Sequence, residues 1–216
     1  MPEAPVHARF ETALRAMPLI AIVRGIEPID AGPVAVALHS AGFRFVEVPL
    51  NSPDPFESIA RMRSAVPSDV LVGAGTVLRA DDVERVRAAG GELVVMPHAD
   101  PAVIRAAKGA GLVCIPGAMT PTEAFAALGA GADALKLFPA ELVSPRIVKA
   151  LRAVLPQGAH LFAVGGITPD AMAEYVRSGA TGFGLGSSLY TPGAPADLVG
   201  ANARRFAEAW RAIATA

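Results

Sequence analysis

Small-residue and proline stops recur at an even spacing along this chain, and they constrain its fold more than any other feature. Predicted helical stretches end every 20 to 25 residues, at positions 42, 67, 90, 111, 131, 156 and 179. Glycine just past a helix end adopts the left-handed conformation at little cost, and proline does not continue a helix. One strand, one helix and two short loops fill such an interval, so the spacing predicts a repeated βα unit.

Short apolar runs alternate with the predicted helices, as parallel strands covered on both faces require. Eight strands, each followed by a helix, predict an α/β fold: a single-domain (βα)8 TIM barrel over residues 1–216. A leading helix near His7–Arg15 is expected to cover the barrel bottom. An open, doubly wound sheet is the alternative. The predicted strands are Leu19–Val23, Phe43–Val48, Val70–Val72, Leu93–Met96, Leu112–Ile115, Ala134–Phe138, His160–Val164 and Gly182–Leu185.

Helices are predicted where apolar and charged residues mix at helical spacing. Ser52, Asp100, Thr120 and Thr168 stand beside the helix starts and are predicted N-caps, because their side-chain oxygens accept hydrogen bonds from the first turn. The predicted helices are Asp30–His39, Pro55–Val66, Ala80–Ala89, Pro101–Ala110, Thr122–Ala130, Arg146–Val154, Asp170–Arg177 and about Asp197–Ile213.

Composition excludes several classes of protein. Nineteen basic and twenty acidic residues give a net charge of −1, unlike a general nucleic-acid binder. No run approaches the roughly 18 apolar residues of a membrane helix, and Met1–Phe10 lacks the apolar stretch of a signal peptide. The lone cysteine, Cys114, excludes an internal disulfide framework, and the histidines show no zinc-type spacing. We therefore expect a cytoplasmic globular protein without a metal, membrane or nucleic-acid partner.

Lys136 is the most informative residue, since it lies inside an apolar strand while the other two lysines lie on predicted helices. Burial disfavours the charged ammonium and lowers the pKa of the amine. A neutral amine forms a Schiff base with a carbonyl substrate, which makes Lys136 a candidate nucleophile. The alternative is a lysine held inside the barrel by a salt bridge, with Glu47 as a candidate partner.

Glu47 and Arg24 also lie at predicted strand ends, where the chemistry of such barrels is located. Glu47 interrupts an apolar strand, so it either acts as an acid/base group or belongs to a structural ion pair. Arg24 directly follows the first strand, where it either binds a carboxylate or forms a salt bridge at the rim.

Glycine-rich turns follow the seventh and eighth predicted strands, at Gly165-Gly166 and at Gly186-Ser187. These two junctions are where TIM barrels commonly bind phosphate. Glycine lets backbone N–H groups approach an anion closely, and a following helix N-terminus adds a favourable dipole. We predict phosphate binding by Gly165, Gly166, Gly186 and Ser187.

These residues, in this order, resemble the 2-keto-3-deoxy-6-phosphogluconate/6-phosphogalactonate aldolase family over about residues 18–190. The similarity is greatest to the branch that acts on 2-dehydro-3-deoxy-6-phosphogalactonate. The gluconate branch typically has threonine at the position of Val164 and Arg-Thr at Asn51-Ser52, so the preference for one C4 epimer depends on few positions. The matching stretches are Ile22–Ile26, Val46–Pro53, Gly73–Val77, Pro116-Gly117, Lys136–Pro139, Val164–Ile167 and Gly184–Ser187.

The resemblance implies a metal-independent class I aldolase that releases pyruvate and glyceraldehyde 3-phosphate reversibly, with no cofactor. Lys136 would form the imine and Glu47 would shuttle protons. Arg24 and Thr76 would hold the pyruvyl carboxylate, and the family commonly forms homotrimers. Pro97 and Phe138 would line the pocket.

Three other functions remain open. The chain could act on the gluconate epimer, or be another phosphate-binding barrel enzyme, such as a phosphosugar epimerase or a thiamine-phosphate synthase-like protein. Such enzymes share the glycine turns but do not need Lys136. The third is a non-catalytic barrel that binds a phosphorylated ligand.

Overall fold

Strands and helices alternate through residues 4–215, the part of the chain that the computed structural model describes; residues 1–3 and 216 of the predicted domain lie outside the described residues. The strands are β1 Leu19–Ile22, β2 Phe45–Pro49, β3 Leu71–Gly75, β4 Leu93–Val95, β5 Val113–Ile115, β6 Gly117–Ala118, β7 Ala134–Leu137, β8 His160–Val164 and β9 Gly182–Leu185. The helices are α1 Val6–Ala16, α2 Pro28–Ala41, α3 Pro55–Ala65, α4 Ala80–Ala88, α5 Pro101–Gly109, α6 Pro121–Gly129, α7 Pro145–Arg152, α8 Met172–Arg177 and α9 Ala196–Ala214.

All paired strands are parallel, in the order β5-β4-β3-β2-β1-β9-β8-β7-β6. The predicted fifth strand corresponds to β5, and a short strand that was not predicted, β6, follows it after Pro116; the two are separate because proline has no N–H with which to continue the ladder. Backbone hydrogen bonds join this part of the chain to β7 and the residue before it. The Asp133 N–H donates to the Cys114 carbonyl over 3.0 Å, and the Lys136 N–H donates to the Pro116 carbonyl over 2.8 Å. The predicted barrel is therefore confirmed, with β6 as an additional short strand.

The predicted leading helix is α1, and it covers the bottom of the barrel. Phe10, Ala13 and Leu14 on its inner face are buried in the apolar cluster that fills the barrel interior. The ring of Phe10 packs edge-on against that of Phe45, with centroids 5.6 Å apart. Because aromatic and aliphatic side chains close this end, the opposite end, where the strands finish, is left for polar groups.

The other helices form the outer layer, where α2 packs against both α3 and α9. Their apolar sides are buried, as at Val34 and Leu38 on α2 and at Phe206 on α9. No helix within residues 4–215 combines the length and the hydropathy that crossing a membrane requires.

The predicted N-caps have different outcomes. Asp100 accepts a hydrogen bond from the Ala102 N–H over 2.7 Å, and Thr120 forms a reciprocal capping box with Glu123. Thr168 precedes a short 3₁₀ turn but makes no side-chain cap bond.

The prediction for Ser52 is wrong. The N-cap of α3 is Asp54, and the Ser52 hydroxyl accepts a hydrogen bond from the Gly25 N–H over 2.9 Å instead. A hydroxyl satisfies whichever backbone donor lies nearest, and the fold brings the loop after β1 closer to Ser52 than the first turn of α3.

Candidate active site

Glu47 and Lys136 point into the barrel because of the alternation of side chains along a strand. Phe45 and Ala134 belong to the apolar cluster of the interior. Successive residues of a strand face opposite sides, so Glu47 and Lys136, two positions further along β2 and β7, face the interior as well. Only 1% of Glu47 and 6% of Lys136 is exposed. Two ionisable groups thus enter a largely apolar space near the ends of their strands.

Burial changes the acid–base properties of both groups. It raises the pKa of the Glu47 carboxyl and lowers the pKa of the Lys136 amine, and in each case the opposing influence of the other group's charge is smaller. Glu47 Oε2 is buried without a hydrogen-bond partner, and no ion pair joins Glu47 to Lys136 in the part of the chain that the structure describes. The lysine is therefore not held in a direct salt bridge, and burial shifts its protonation equilibrium towards the neutral amine.

Gly75, near the end of β3, leaves the space that the Glu47 carboxylate occupies. A Cβ atom at Gly75 would lie 1.5 Å from Glu47 Oε2. That distance is far below any non-bonded contact, so a side chain here would displace the carboxylate. The position of Glu47 thus depends on the absence of a side chain on the neighbouring strand.

A cavity of about 390 Å³ opens above Lys136 at the carboxyl ends of the strands. It brings together nine of the ten predicted site residues. The tenth, Glu47, lies below the cavity in a narrow gap that also borders Lys136. The nine are Arg24, Thr76, Pro97, Lys136, Phe138, Gly165, Gly166, Gly186 and Ser187.

Arg24 lies at one side of the cavity mouth and is exposed. Its Nη1 donates to Asn51 Oδ1 over 2.5 Å, and its Nη2 donates to Thr76 Oγ1 over 3.3 Å. The positive charge of Arg24 adds to the lowering of the Lys136 pKa. The ring of Phe138 lies beside the amine, with Lys136 Nζ 4.9 Å from the ring centroid.

Glycine turns form the other side of the cavity. Gly165 and Gly166 have φ values of 119° and 61°, in the left-handed region that favours glycine. Within residues 4–215, the amides of Gly166 and Ser187 donate to no backbone or side-chain acceptor. Donors without an acceptor at two adjacent turns form a surface that suits an anion.

Glu141, which sequence reasoning missed, faces the first of these turns. A Cβ atom at Gly165 would lie 2.3 Å from Glu141 Oε2, and one at Gly166 would lie 3.1 Å from Glu141 Oε1. The side chain is exposed and lines the cavity, so a carboxylate stands beside the surface predicted to bind phosphate. Its place in the loop after β7, five residues beyond Lys136, is the one signal that could have identified it.

Asn51 was also not predicted as a site residue, although it lies in the loop after β2, on the same rim as Arg24. The loop after β9 contributes further lining residues that were not among the predicted site residues. These are Ser188, Tyr190, Thr191 and Pro192.

Cavity size alone does not identify the site. A cavity of about 430 Å³ lies beside α3 and α4, lined by Asp54, Phe56 and Arg85 among others, and none of its lining residues is a lysine. Within residues 4–215, no group of three or more histidine, cysteine, aspartate or glutamate side chains is arranged to hold a metal ion. The cavity above Lys136 is distinguished by a buried amine that lies between the exposed Arg24 on one side and the glycine turns on the other.

Comparison with known proteins agrees with the family resemblance of the sequence motifs. The family model described as KDPG and KHG aldolase matches residues 10–198. The chain is 51% identical over 176 residues to a probable 2-dehydro-3-deoxy-6-phosphogalactonate aldolase of Rhizobium meliloti (strain 1021), covering 82% of this chain and 83% of that protein. It is 45% identical over 195 residues to the 2-dehydro-3-deoxy-6-phosphogalactonate aldolase of Escherichia coli (strain K12), covering 90% of this chain and 95% of that protein.

A solved structure described as native KDPGal is similar over nearly the whole fold. The TM-score is 0.90 at 44% sequence identity, and the match covers 93% of this chain and 97% of that one. The resemblance inferred from the motifs is therefore confirmed.

Proposed function

The chain belongs to the KDPG and KHG aldolase family, and from this premise we propose that it is a class I aldolase. Its proposed reaction is the reversible cleavage of 2-dehydro-3-deoxy-6-phosphogalactonate to pyruvate and glyceraldehyde 3-phosphate. The observation that carries the proposal is the buried Lys136 amine at the floor of a cavity, with Glu47 below it and Arg24 at its mouth.

The first step is addition of the neutral Lys136 amine to the C2 ketone of the substrate, which forms a carbinolamine. Loss of water converts the carbinolamine to a protonated imine. The pKa of Lys136, lowered mainly by burial, supports this step because only the unprotonated amine carries the lone pair that attacks. The imine itself serves as the electron sink, so the proposed chemistry needs no added cofactor.

In the second step, the C4 hydroxyl loses its proton and the C3–C4 bond breaks. The C4 carbon leaves as the aldehyde of glyceraldehyde 3-phosphate, and the bonding electrons form an enamine with the imine. Protonation of the enamine at C3 and hydrolysis then release pyruvate and return the free amine. Glu47 is the proposed proton carrier, because burial raises the pKa of its carboxyl and so makes it a stronger base than an exposed carboxylate, able to accept and return a proton.

The two ends of the substrate are anions, and the two sides of the cavity suit them. Arg24 and Thr76 are proposed to hold the carboxylate beside the reacting ketone, while Pro97 and Phe138 line the pocket between the ends. The proposed phosphate-binding groups are Gly165, Gly166, Gly186 and Ser187, whose backbone amides would donate to the anion.

The galactonate epimer is preferred in this proposal because the relatives at 51% and 45% identity bear that substrate in their names. The second candidate is the gluconate epimer, which is favoured by a 36% identical relative of Treponema pallidum (strain Nichols) named 2-dehydro-3-deoxy-phosphogluconate aldolase. Comparing kcat/KM for the two epimers, which differ only at C4, decides between them.

The test of the reaction class is borohydride reduction in the presence of pyruvate, followed by peptide mass spectrometry. We expect a 1-carboxyethyl group on Lys136 and no such group when pyruvate is omitted. Lys136→Arg should lose both the label and the cleavage activity, because a guanidinium does not supply a neutral amine.

Lys149→Arg is the matched control, because Lys149 is an exposed lysine of α7 outside the cavity. It should keep both the label and the activity. A label on another lysine, or cleavage by Lys136→Arg, would contradict the proposed mechanism. The two remaining functions, another phosphate-binding barrel enzyme and a non-catalytic barrel, predict no label at all.

We also propose that the chain acts in the cytoplasm as a homotrimer. Its phosphorylated substrate is a multiply charged anion that does not cross a lipid bilayer unaided, which supports an intracellular site of action. Light scattering of the purified protein measures the subunit number. The proposal of a trimer is supported by exposed apolar side chains, which an interface between subunits would bury. They include Leu78, Met119, Phe125 and Leu142.

A further inference from the structure

The loops that follow β1 and β2 are joined by two hydrogen bonds between consecutive residues. The Arg24 guanidinium donates to Asn51 Oδ1 over 2.5 Å. One residue further along each loop, the Gly25 N–H donates to Ser52 Oγ over 2.9 Å. The pair Asn51-Ser52 thus holds both the side chain of Arg24 and the backbone that follows it.

Ser52 belongs to this contact and not to a helix terminus. It is 8% exposed, and α3 begins three residues later behind Asp54. Gly25 has a φ of 78°, and a Cβ atom there would lie 2.8 Å from Pro192 Cγ. The backbone after Arg24 is therefore held between the Ser52 hydroxyl on one side and Pro192 on the other.

Arg24 is positioned by neutral oxygens. Its partners are the Asn51 amide and the Thr76 hydroxyl, and no carboxylate pairs with it among residues 4–215. Arginines elsewhere on the surface pair with acids, as Arg44 does with Asp69 and Arg61 with Glu57. The guanidinium of Arg24 is thus oriented without being neutralised, which leaves its charge for a bound anion.

We propose that Asn51 and Ser52 are positioning residues that fix Arg24 for recognition of the keto-acid carboxylate, and we call this arrangement of Arg24, Asn51 and Ser52 the clamp. Asn51 orients the fork of the guanidinium, and Ser52 fixes the backbone from which it extends. Thr76 completes the orientation from the β3 side. This inference rests on the proposed function, because it assumes that a keto acid reacts at Lys136.

Deuterium exchange of methyl protons tests the clamp separately from the full reaction. Formation of the imine and its enamine exchanges the methyl protons of pyruvate in D₂O, which NMR follows without the aldehyde or the phosphate group. The uncharged amide of pyruvate reports the same chemistry at Lys136 without the carboxylate. The measured quantity is the ratio of kcat/KM for pyruvate to kcat/KM for the amide.

Asn51→Asp keeps the size of the side chain but places a carboxylate against Arg24, and Ser52→Ala removes the acceptor for Gly25. We expect each to lower the ratio about tenfold or more, chiefly through the KM for pyruvate, because a charge-assisted bidentate contact is lost or neutralised. Ser52→Thr should restore the ratio, since it returns the hydroxyl.

Gln157→Glu and Ser64→Ala are matched controls and should keep the wild-type ratio, because both residues are exposed and lie outside the two loops and the cavity lining. An unchanged ratio in Asn51→Asp and Ser52→Ala would overturn the clamp, as would an equal loss with both substrates, which indicates general damage to the fold. No exchange by the wild-type protein would instead overturn the proposed function, and the clamp with it.

Discussion

Lys136 and Glu47 at the floor of the cavity differ from Arg24 at its rim in how each group is held. The floor groups extend from strands, are nearly fully buried and make no ion pair with one another in the described chain. Arg24 extends from a loop, is exposed and is oriented by hydrogen bonds to Asn51 and Thr76. In the proposed mechanism, the reactivity of the floor groups comes from the loss of water, whereas the specificity of the rim comes from hydrogen-bond geometry.

The two sides of the rim differ as well. At the Arg24 side, no carboxylate of residues 4–215 pairs with the positive charge. At the glycine turns, the Glu141 carboxylate stands beside Gly165 and Gly166. We therefore expect the Arg24 side to attract an anion, whereas the Glu141 charge weakens the proposed phosphate binding at the glycine turns. The following predictions test these differences.

The largest effect is expected at the floor. Glu47→Gln should lower kcat by about 10²- to 10⁴-fold, the usual contribution of a positioned acid/base group. The charge of Glu47 raises the pKa of Lys136, so the neutral amide should lower that pKa further. In a plot of borohydride trapping rate against pH, the acidic limb, where protonation of the amine slows trapping, should therefore move to lower pH. Trapping rates measured at several pH values test this.

Glu57→Gln is the control for this change, because Glu57 is an exposed residue of α3 that pairs with Arg61. It should leave kcat and the acidic limb where they are. A movement of the Glu47→Gln limb to higher pH would show that Glu47 does not act on Lys136 as described.

A smaller effect is expected at Gly75. Gly75→Ala should displace the Glu47 carboxylate and lower kcat about tenfold or more, with a loss of about 1–3 kcal/mol in the free energy of unfolding from overpacking. Trapping of pyruvate on Lys136 should persist, since the amine is not displaced. Enzyme kinetics, urea unfolding and trapping measure the three quantities.

Gly109→Ala is the matched control, since a Cβ atom at Gly109 would meet nothing within 4 Å. It should leave kcat unchanged. Wild-type kcat in Gly75→Ala would mean that Glu47 tolerates displacement and that its position is not essential.

The smallest effect is expected at the glycine turns. Glu141→Gln removes a negative charge beside the proposed phosphate site and should tighten inhibition by inorganic phosphate by roughly fivefold, as about 1 kcal/mol of screened repulsion implies. The gain should shrink as salt is added, because the interaction lies near solvent. Inhibition constants at low and high ionic strength test both statements.

Glu174→Gln on α8 is the control and should leave the inhibition constant unchanged, since Glu174 is exposed and lies outside the cavity lining. Weaker phosphate inhibition in Glu141→Gln would reverse the interpretation. It would mean that Glu141 supports the site in place of opposing the anion.

Residues whose position follows from strand alternation were predictable. Lys136 and Glu47 are charged residues in apolar strands, and period-two alternation places them beside the core residues Ala134 and Phe45. The helix stops were predictable for a similar reason, since Gly42 adopts a φ of 109° at the end of α2. These features depend on the local chain alone.

Residues whose partner comes from another loop were not predictable in the same way. Ser52 has the local pattern of an N-cap, but its partner is Gly25, 27 positions earlier in the chain. No sequence pattern marks Asn51 or Glu141 as a site residue, because only the fold places Asn51 beside Arg24 and Glu141 beside the glycine turn. The short strand β6 after Pro116 was not predicted either, because its two residues are too few to show a strand pattern.

The amino-acid sequence alone determined the barrel, its covering helix and the inward direction of the amine and the carboxylate. Each follows from periodicities of two or about 3.6 residues and from stops that act within a few bonds. The tertiary structure decided which loops meet, which hydroxyl joins which amide, and that a glycine clears space for a carboxylate on the neighbouring strand. Such contacts join residues far apart in the chain, and only strand register and loop packing bring them within a few ångströms.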